Sequence, residues 1–199
     1  MKNFIIRQAT PKDAKAIAEL VVIASGGMVE FLLHDLIPHV SPLQMVEQKF
    51  AGDEMPFCYK CTTVVEIDGK VIGILHAHSN DYNTLPDPDE EALIPFERLN
   101  HIVTPMFKNP VKNSFYIQSL AVFPEFRHKG IGTRLLDVVE EMAKKEHFDN
   151  ITLHAWADNQ EAIKLYLNKG YKIMRDIYIQ EAPLLPHKSG MVLMQRKIS

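Results

Sequence analysis

Residues 114–147 read SFYIQSLAVFPEFRHKGIGTRLLDVVEEMAKKEH. The first nine, rich in apolar and aromatic side chains, predict a strand over 114–122. A loop from Phe123 to Gly130 leads into a helix at about 131–147. Ile131, Leu135, Val138 and Met142 form its apolar stripe, widened by Leu136, Val139 and Ala143. Glycines at a helix start let a ligand approach the backbone, where free N–H groups and the helix dipole make an anion site. Arg127, His128, Lys129 and Arg134 add positive charge. The stretch therefore reads as a phosphate cradle, suited to a pyrophosphate. It lacks the spacing of a Walker loop. It also departs from a dinucleotide fingerprint, because Leu135 stands where the third glycine would be.

Upstream, residues 3–8 predict a strand. Thr10-Pro11-Lys12-Asp13 opens a helix carrying Ile17, Leu20, Val21 and Ala24 at helical spacing, stopped by Gly26-Gly27. Met28 to Leu36 predicts a second helix. Ser41-Pro42-Leu43-Gln44 is a capping-box start with Gly52 as its stop. Residues 59–67 and 70–78 predict strands joined by an Asp68-Gly69 hairpin turn. Residues 79–113, punctuated by five prolines, predict an excursion with one short helix near 89–100. Downstream come a strand at 151–156 and a capping box at Asp158-Asn159-Gln160-Glu161. The latter opens a helix to about Lys169, closed by Gly170. Two last strands fit 171–181 and 190–197. The order predicts a mixed α/β fold in a single domain, 1–199, with an acidic insertion at 79–113.

The 199 residues are 46% hydrophobic and 24% charged, with a net charge of −3. That composition excludes a low-complexity chain and argues against a generally basic nucleic-acid binder. Two cysteines cannot make a disulfide framework. Cys58-x-x-Cys61 reads as a pair of ordinary thiols, since no second pair completes a zinc set. No secretory signal or membrane span is visible, so the expectation is a cytoplasmic protein with neither membrane nor nucleic-acid partner.

Arg127-x-x-Gly130-x-Gly132, after a strand ending Leu120-Ala121-Val122 and a proline-containing loop, closely resembles the acetyl-CoA motif of the GNAT superfamily of N-acetyltransferases. A second signature of that family follows in order: Asp158-Asn159, Ala162, Leu165-Tyr166 and Gly170-Tyr171. The resemblance is strong over 115–172 and weaker over 1–78 and 173–197. It implies a central mixed, mostly antiparallel sheet, flanked by helices, whose parallel central strands splay into a cofactor wedge. It implies acetyl-CoA as cofactor. Leu120, Ala121 and Val122 would then pair with the pantetheine arm. Arg127, His128, Lys129, Gly130, Ile131, Gly132 and Thr133 would hold the pyrophosphate. Asn159 would contact pantetheine, with Ala162 packing nearby. Tyr166 would protonate the departing thiolate, and its phenol near pKa 10 is not far from a thiol near 8.5.

One departure stands out. Many relatives carry a glutamate base two residues before the Leu-Ala-Val tripeptide; here Gln118 stands, and an amide takes no proton at neutral pH. His76, His78, Glu125 and bulk water are the alternative proton acceptors, unless the amine arrives neutral. The substrate side of such a fold would be built from residues 25–52 and 79–113. Asp81 to Lys112 holds six acidic and three basic residues, which would steer a small cationic amine. A small-molecule amine is the expected substrate. The alternatives are a protein N-terminal or lysine acetyltransferase, and a non-catalytic acyl-CoA-binding module. The two terminal strands are candidates for pairing between subunits of a homodimer.

Overall fold

The computed structural model describes residues 4–89 and 92–198. Seven strands form one sheet in the order β1-β2-β3-β4-β5-β7-β6. β1 (Ile5–Gln8), β2 (Thr62–Ile67), β3 (Lys70–Ser79) and β4 (Ser114–Val122) make an antiparallel half. β5 (Asn150–Trp156), β6 (Lys172–Ile177) and β7 (Met191–Lys197) make another. The halves meet at β4 and β5, which run parallel. The fold is therefore the mixed, mostly antiparallel α/β fold expected. No helix among the described residues is long and apolar enough to cross a membrane.

Both faces of the sheet are covered. α5 (Ile131–Lys145) and α6 (Gln160–Asn168) pack on one face against Leu75, Ile117, Leu153 and Val192. α1 (Ala14–Ser25) and α3 (Pro42–Ala51) pack on the other against Val64, Val71, Ile74 and Ala121. α4 (Phe96–Phe107) packs its Ile102, Met106 and Phe107 with Tyr116, Trp156 and Leu193. Leu135, Leu136 and Val139 of α5 are fully buried, and each such burial stabilises by about 1.5–3 kcal/mol.

Local chemistry explains the element ends. Asp68 and Gly69 both take positive φ, +52° and +78°, as a two-residue type I′ hairpin requires. Ser41 and Gln44 close a reciprocal capping box on α3. Asp13 accepts from the Thr10 backbone and is gripped by Arg7 at 2.8 and 2.9 Å. The first turn there is 3-10, and α1 proper begins at Ala14.

Five local expectations need correction. Tyr59–Cys61 is a 3-10 turn and β2 begins at Thr62, because the Cys61 N–H bonds back to the Cys58 carbonyl instead of joining a ladder. α2 (Met28–Leu33) ends at His34, whose ψ of 131° is extended. The excursion's helix lies at Phe96–Phe107, with Pro105 inside it; a proline in the last turn forfeits one hydrogen bond while the apolar face stays buried. The start of the expected span includes Glu90 and Glu91, outside the described residues. α6 is capped by Asn159, whose Oδ1 accepts from Ala162 N–H at 3.2 Å, while Asp158 binds His187 Nδ1 at 2.5 Å. Finally, β7 lies between β5 and β6, so both of its edges are used within the chain and, of the two terminal strands, only β6 has an open edge.

Candidate active site

The site begins with an irregularity in β4. His76 pairs with Ser119 and Ala77 with Ile117, leaving Gln118 as an extra residue opposite β3. Such a bulge bends its strand. The β4–β5 ladder stops at Ile117–Leu153, while β5 stays paired with β7 through Trp156. From Gln118 to Val122, β4 has no ladder partner on its β5 side, and the two strands part. Backbone N–H and C=O groups on that edge are open to a ligand.

The gap opens into a cavity of about 1230 Å³. Leu120, Ala121 and Val122 line it, as do Arg127, His128, Gly130, Ile131, Gly132, Thr133, Asn159, Ala162 and Tyr166. Every expected cofactor residue except Lys129 therefore meets in one place. Lys129 turns outward, donating to the Glu125 carbonyl at 2.9 Å and lying 5.1 Å from the Phe126 ring centroid. Arg134 also points away, toward Glu141. Arg127 spends its Nε on the Val122 carbonyl at 3.1 Å, tying the loop to β4. Lys164, which the motifs did not signal, lines the cavity from α6.

The helix start is shaped for close approach. Gly130 caps α5 with a φ of +77°, a conformation side chains disfavour. At Gly132 a Cβ would lie 3.3 Å from Leu165 Cδ2 and 3.8 Å from Leu120 Cδ2, so any side chain there intrudes between β4 and α6. Gly130 to Thr133, the start of this 15-residue helix, line the gap, which brings the positive end of the helix dipole to it.

Tyr166 lies edge-on to Tyr171, ring centroids 5.7 Å apart. Its hydroxyl makes no hydrogen bond among the described residues, and the ring lines the cavity. Burial pushes its phenol up to about 12. This corrects the simple match of phenol to thiolate: the hydroxyl holds its proton more firmly than a free tyrosine. The same desolvation would raise a thiolate beside it.

The histidines are poor bases here. His76 is fully buried, with neither ring nitrogen at hydrogen-bond geometry. Burial first, then His78, holds it down at about 3, opposed weakly by the nearby Pro56 carbonyl. His78 is buried, its Nδ1 2.9 Å from the Ser79 carbonyl, and is likewise shifted down by burial. His78 is not among the lining residues, and neither is Glu125. A third imidazole, His154, lines the cavity with its Nδ1 3.0 Å from Tyr116 Oη. Burial, then Arg175, lowers it to about 3.

The acidic excursion contributes a mostly apolar wall, with Asn83 and Thr84 as its uncharged polar members. Tyr82, Leu93, Leu99, Val103 and Phe107 line the cavity from it, and none of its described acidic residues does. Glu90 and Glu91 lie outside the described residues. The opposite wall comes from α1 to α3 and the segment after them, including Met28, Leu32, Met45, Phe50 and Phe57. Apart from Phe57, these residues lie in the two segments expected to build the acceptor side, 25–52 and 79–113; their inward-facing apolar character carried no motif. Cys58 and Cys61 are free and buried. Burial first raises Cys61, to about 12.

The profile of the Acetyltransferase (GNAT) family matches residues 37–171. The chain belongs to the GNAT acetyltransferase family. Within this GNAT chain, the match covers both the wedge and the helix start. N-alpha-acetyltransferase 50 of Danio rerio is 38% identical over 60 residues, 30% of the chain. The match spans about a third of that relative's length, 36%. A crystal structure of an N-acetyltransferase from Staphylococcus aureus Mu50 superposes with a TM-score of 0.68 at 25% identity, covering 96% of this GNAT chain and all of the other. The structure of yncA from Salmonella typhimurium with its cofactor acetyl-CoA shares the fold. Its TM-score is 0.61 at 16% identity, with 99% of this chain and 95% of that one covered.

Proposed function

We propose that the chain is an N-acetyltransferase that moves an acetyl group from acetyl-CoA to a small primary amine by direct attack. We read residues 1–199 as one such domain, with 79–113 as an insertion between β3 and β4. The observation that carries the reading is the meeting, in one cavity, of an open β4 edge, a glycine-opened helix start and an unbonded Tyr166 hydroxyl.

Acetyl-CoA, when bound, supplies the acetyl group as an activated thioester. The N–H groups at the start of α5, with Arg127 and Lys164, suit its phosphates. The open edge at Leu120–Val122 suits its amide-bearing arm and would polarise the acyl carbonyl. The Asn159 oxygen is used as the cap, leaving its amide nitrogen as a donor. Tyr166 holds the proton that sulfur needs when the C–S bond breaks. The amine nitrogen loses one proton as the C–N bond forms, so one proton leaves and one is taken up.

The test is steady thiol release from acetyl-CoA with a panel of amines. Tight acetyl-CoA binding without release from any amine would favour a binding module instead. The likeness to an N-alpha-acetyltransferase favours a second reading, a protein N-terminus as acceptor. Short peptides with free N-termini in the same panel decide between the two.

A further inference from the structure

We propose that the acceptor is an amine carried on an uncharged, apolar body, an alkyl- or aralkylamine, bound in its neutral form, and that polyamines are excluded. This rests on the N-acetyltransferase reading and names its substrate class.

The charges lining the cavity are unevenly placed. Arg127, His128, Lys164 and Glu161 come from the β4–α5 loop and α6, the proposed phosphate end. Glu161 is the one carboxylate among the described lining residues, and it sits 3.5 Å from His128. On the acceptor side the one described charged residue is Lys49, paired with Glu54 at 2.5 Å. The other titratable groups lining the cavity are His76, His154, Tyr82, Tyr116 and Tyr166. Both imidazoles are neutral, and Tyr116 is bonded to His154.

An ammonium entering between Met28, Met45, Phe57 and Val103 would therefore lose water and meet no described anion. Burying an unpaired charge costs several kcal/mol, and an amine escapes that cost by shedding its proton. Gln118 offers no base to take that proton inside, so the neutral amine is the form that enters. A second ammonium, as in a diamine, would carry the same penalty to the far end of the molecule.

The experiment measures kcat/KM by thiol release for 2-phenylethylamine, hexylamine, putrescine and spermidine between pH 6.5 and 9.5. The expected result is a preference of at least 100-fold for the two apolar amines at pH 7.5. Their log kcat/KM should rise with about unit slope per pH unit below the amine's own pKa. Equal or better turnover of putrescine or spermidine overturns the proposal, and so does a pH-independent kcat/KM for the apolar amines. The double variant Glu90→Gln, Glu91→Gln keeps the ranking; a loss of polyamine turnover in it would assign those carboxylates to the cavity and overturn the proposal. Release with none of the amines or peptides overturns the N-acetyltransferase reading itself.

Discussion

The indole nitrogen of Trp156 donates a 3.0 Å hydrogen bond to the Ser25 carbonyl, joining residues 131 apart in the chain. Trp156 ends β5, the strand that parts from β4, and Ser25 ends α1. The bond fixes the turn between α1 and α2 against the splayed strand. His187 stacks on the face of the indole, 4.7 Å between centroids at 12°, and Asp158 holds His187 in turn. The acceptor wall and the cofactor wedge are thus parts of one packed unit.

Gly26 tests that clasp. Its φ is +56°, and a Cβ would lie 2.6 Å from both Trp156 Nε1 and His187 Nε2. Gly26→Ala should cost about 2–3 kcal/mol from backbone strain and overpacking. At roughly 2–4 °C per kcal/mol for a chain of this size, differential scanning calorimetry should read a drop of about 4–12 °C. An unchanged midpoint would show that the turn can step away from the indole.

Tyr166→Phe should lower kcat by roughly 10 to 10⁴-fold, the span around what a general acid is worth, with coenzyme A affinity within about twofold. The measurement is single-turnover thiol release, which isolates chemistry from product loss. An unaltered single-turnover rate removes Tyr166 as the proton donor.

Gly132→Val should fill the space between Leu165 and Leu120 without touching the buried core of α5. Calorimetric titration with coenzyme A should show at least a tenfold weaker affinity, about 1.4 kcal/mol or more, while far-ultraviolet circular dichroism is unchanged. Wild-type affinity in this variant would place the pantetheine arm elsewhere.

Acid should destabilise the fold through His76 and His154. Both are held at about 3 in the folded state by burial, against about 6.5 when unfolded. For a group whose folded value is depressed, the contribution is present above the unfolded value and is lost as pH falls toward the folded one. The window is therefore about pH 6.5 down to 3. Two protons taken up on unfolding give a slope of about 2.7 kcal/mol per pH unit, made steeper by His78, which is also shifted down. Urea unfolding at several pH values from 7 to 4.5 reads this slope. A flat profile over that range would mean the imidazoles reach water in the folded state.

Asp13 sets a lower, separate window. Its bond to Arg7 holds it at about 2, against burial, which opposes the shift. The stability it adds is present above about 3.8 and disappears as pH falls toward 2. Asp13→Asn should lower the urea midpoint at pH 7, and the gap to wild type should narrow as pH is lowered below about 4 for as long as both remain folded.

Local chemistry was legible because it is local. Asp68-Gly69 announces its hairpin, Ser41 and Gln44 their capping box, and Gly130 with Gly132 a helix start that a ligand can approach. Where the reading slipped, a tertiary contact outweighed a local preference. Pro105 reads as a helix breaker, yet α4 runs through it because Ile102, Met106 and Phe107 are buried. Asp158 reads as a cap, but His187 claims it.

The strand–loop–helix at 114–147 and the Asp158–Tyr171 signature carried the resemblance to the family, and with it the mixed, mostly antiparallel sheet, since both motifs rest on backbone conformation and short-range spacing. The character of the acceptor cavity was decided by tertiary structure alone. The six-to-three acidic balance of the excursion suggested a site for cations. Its described acids stay outside the cavity, because covering the sheet's face and the mouth of the wedge uses the excursion's apolar side chains. Which residues of a segment face inward depends on what it packs against, and that is set by contacts such as Trp156 with Ser25, far apart in the chain.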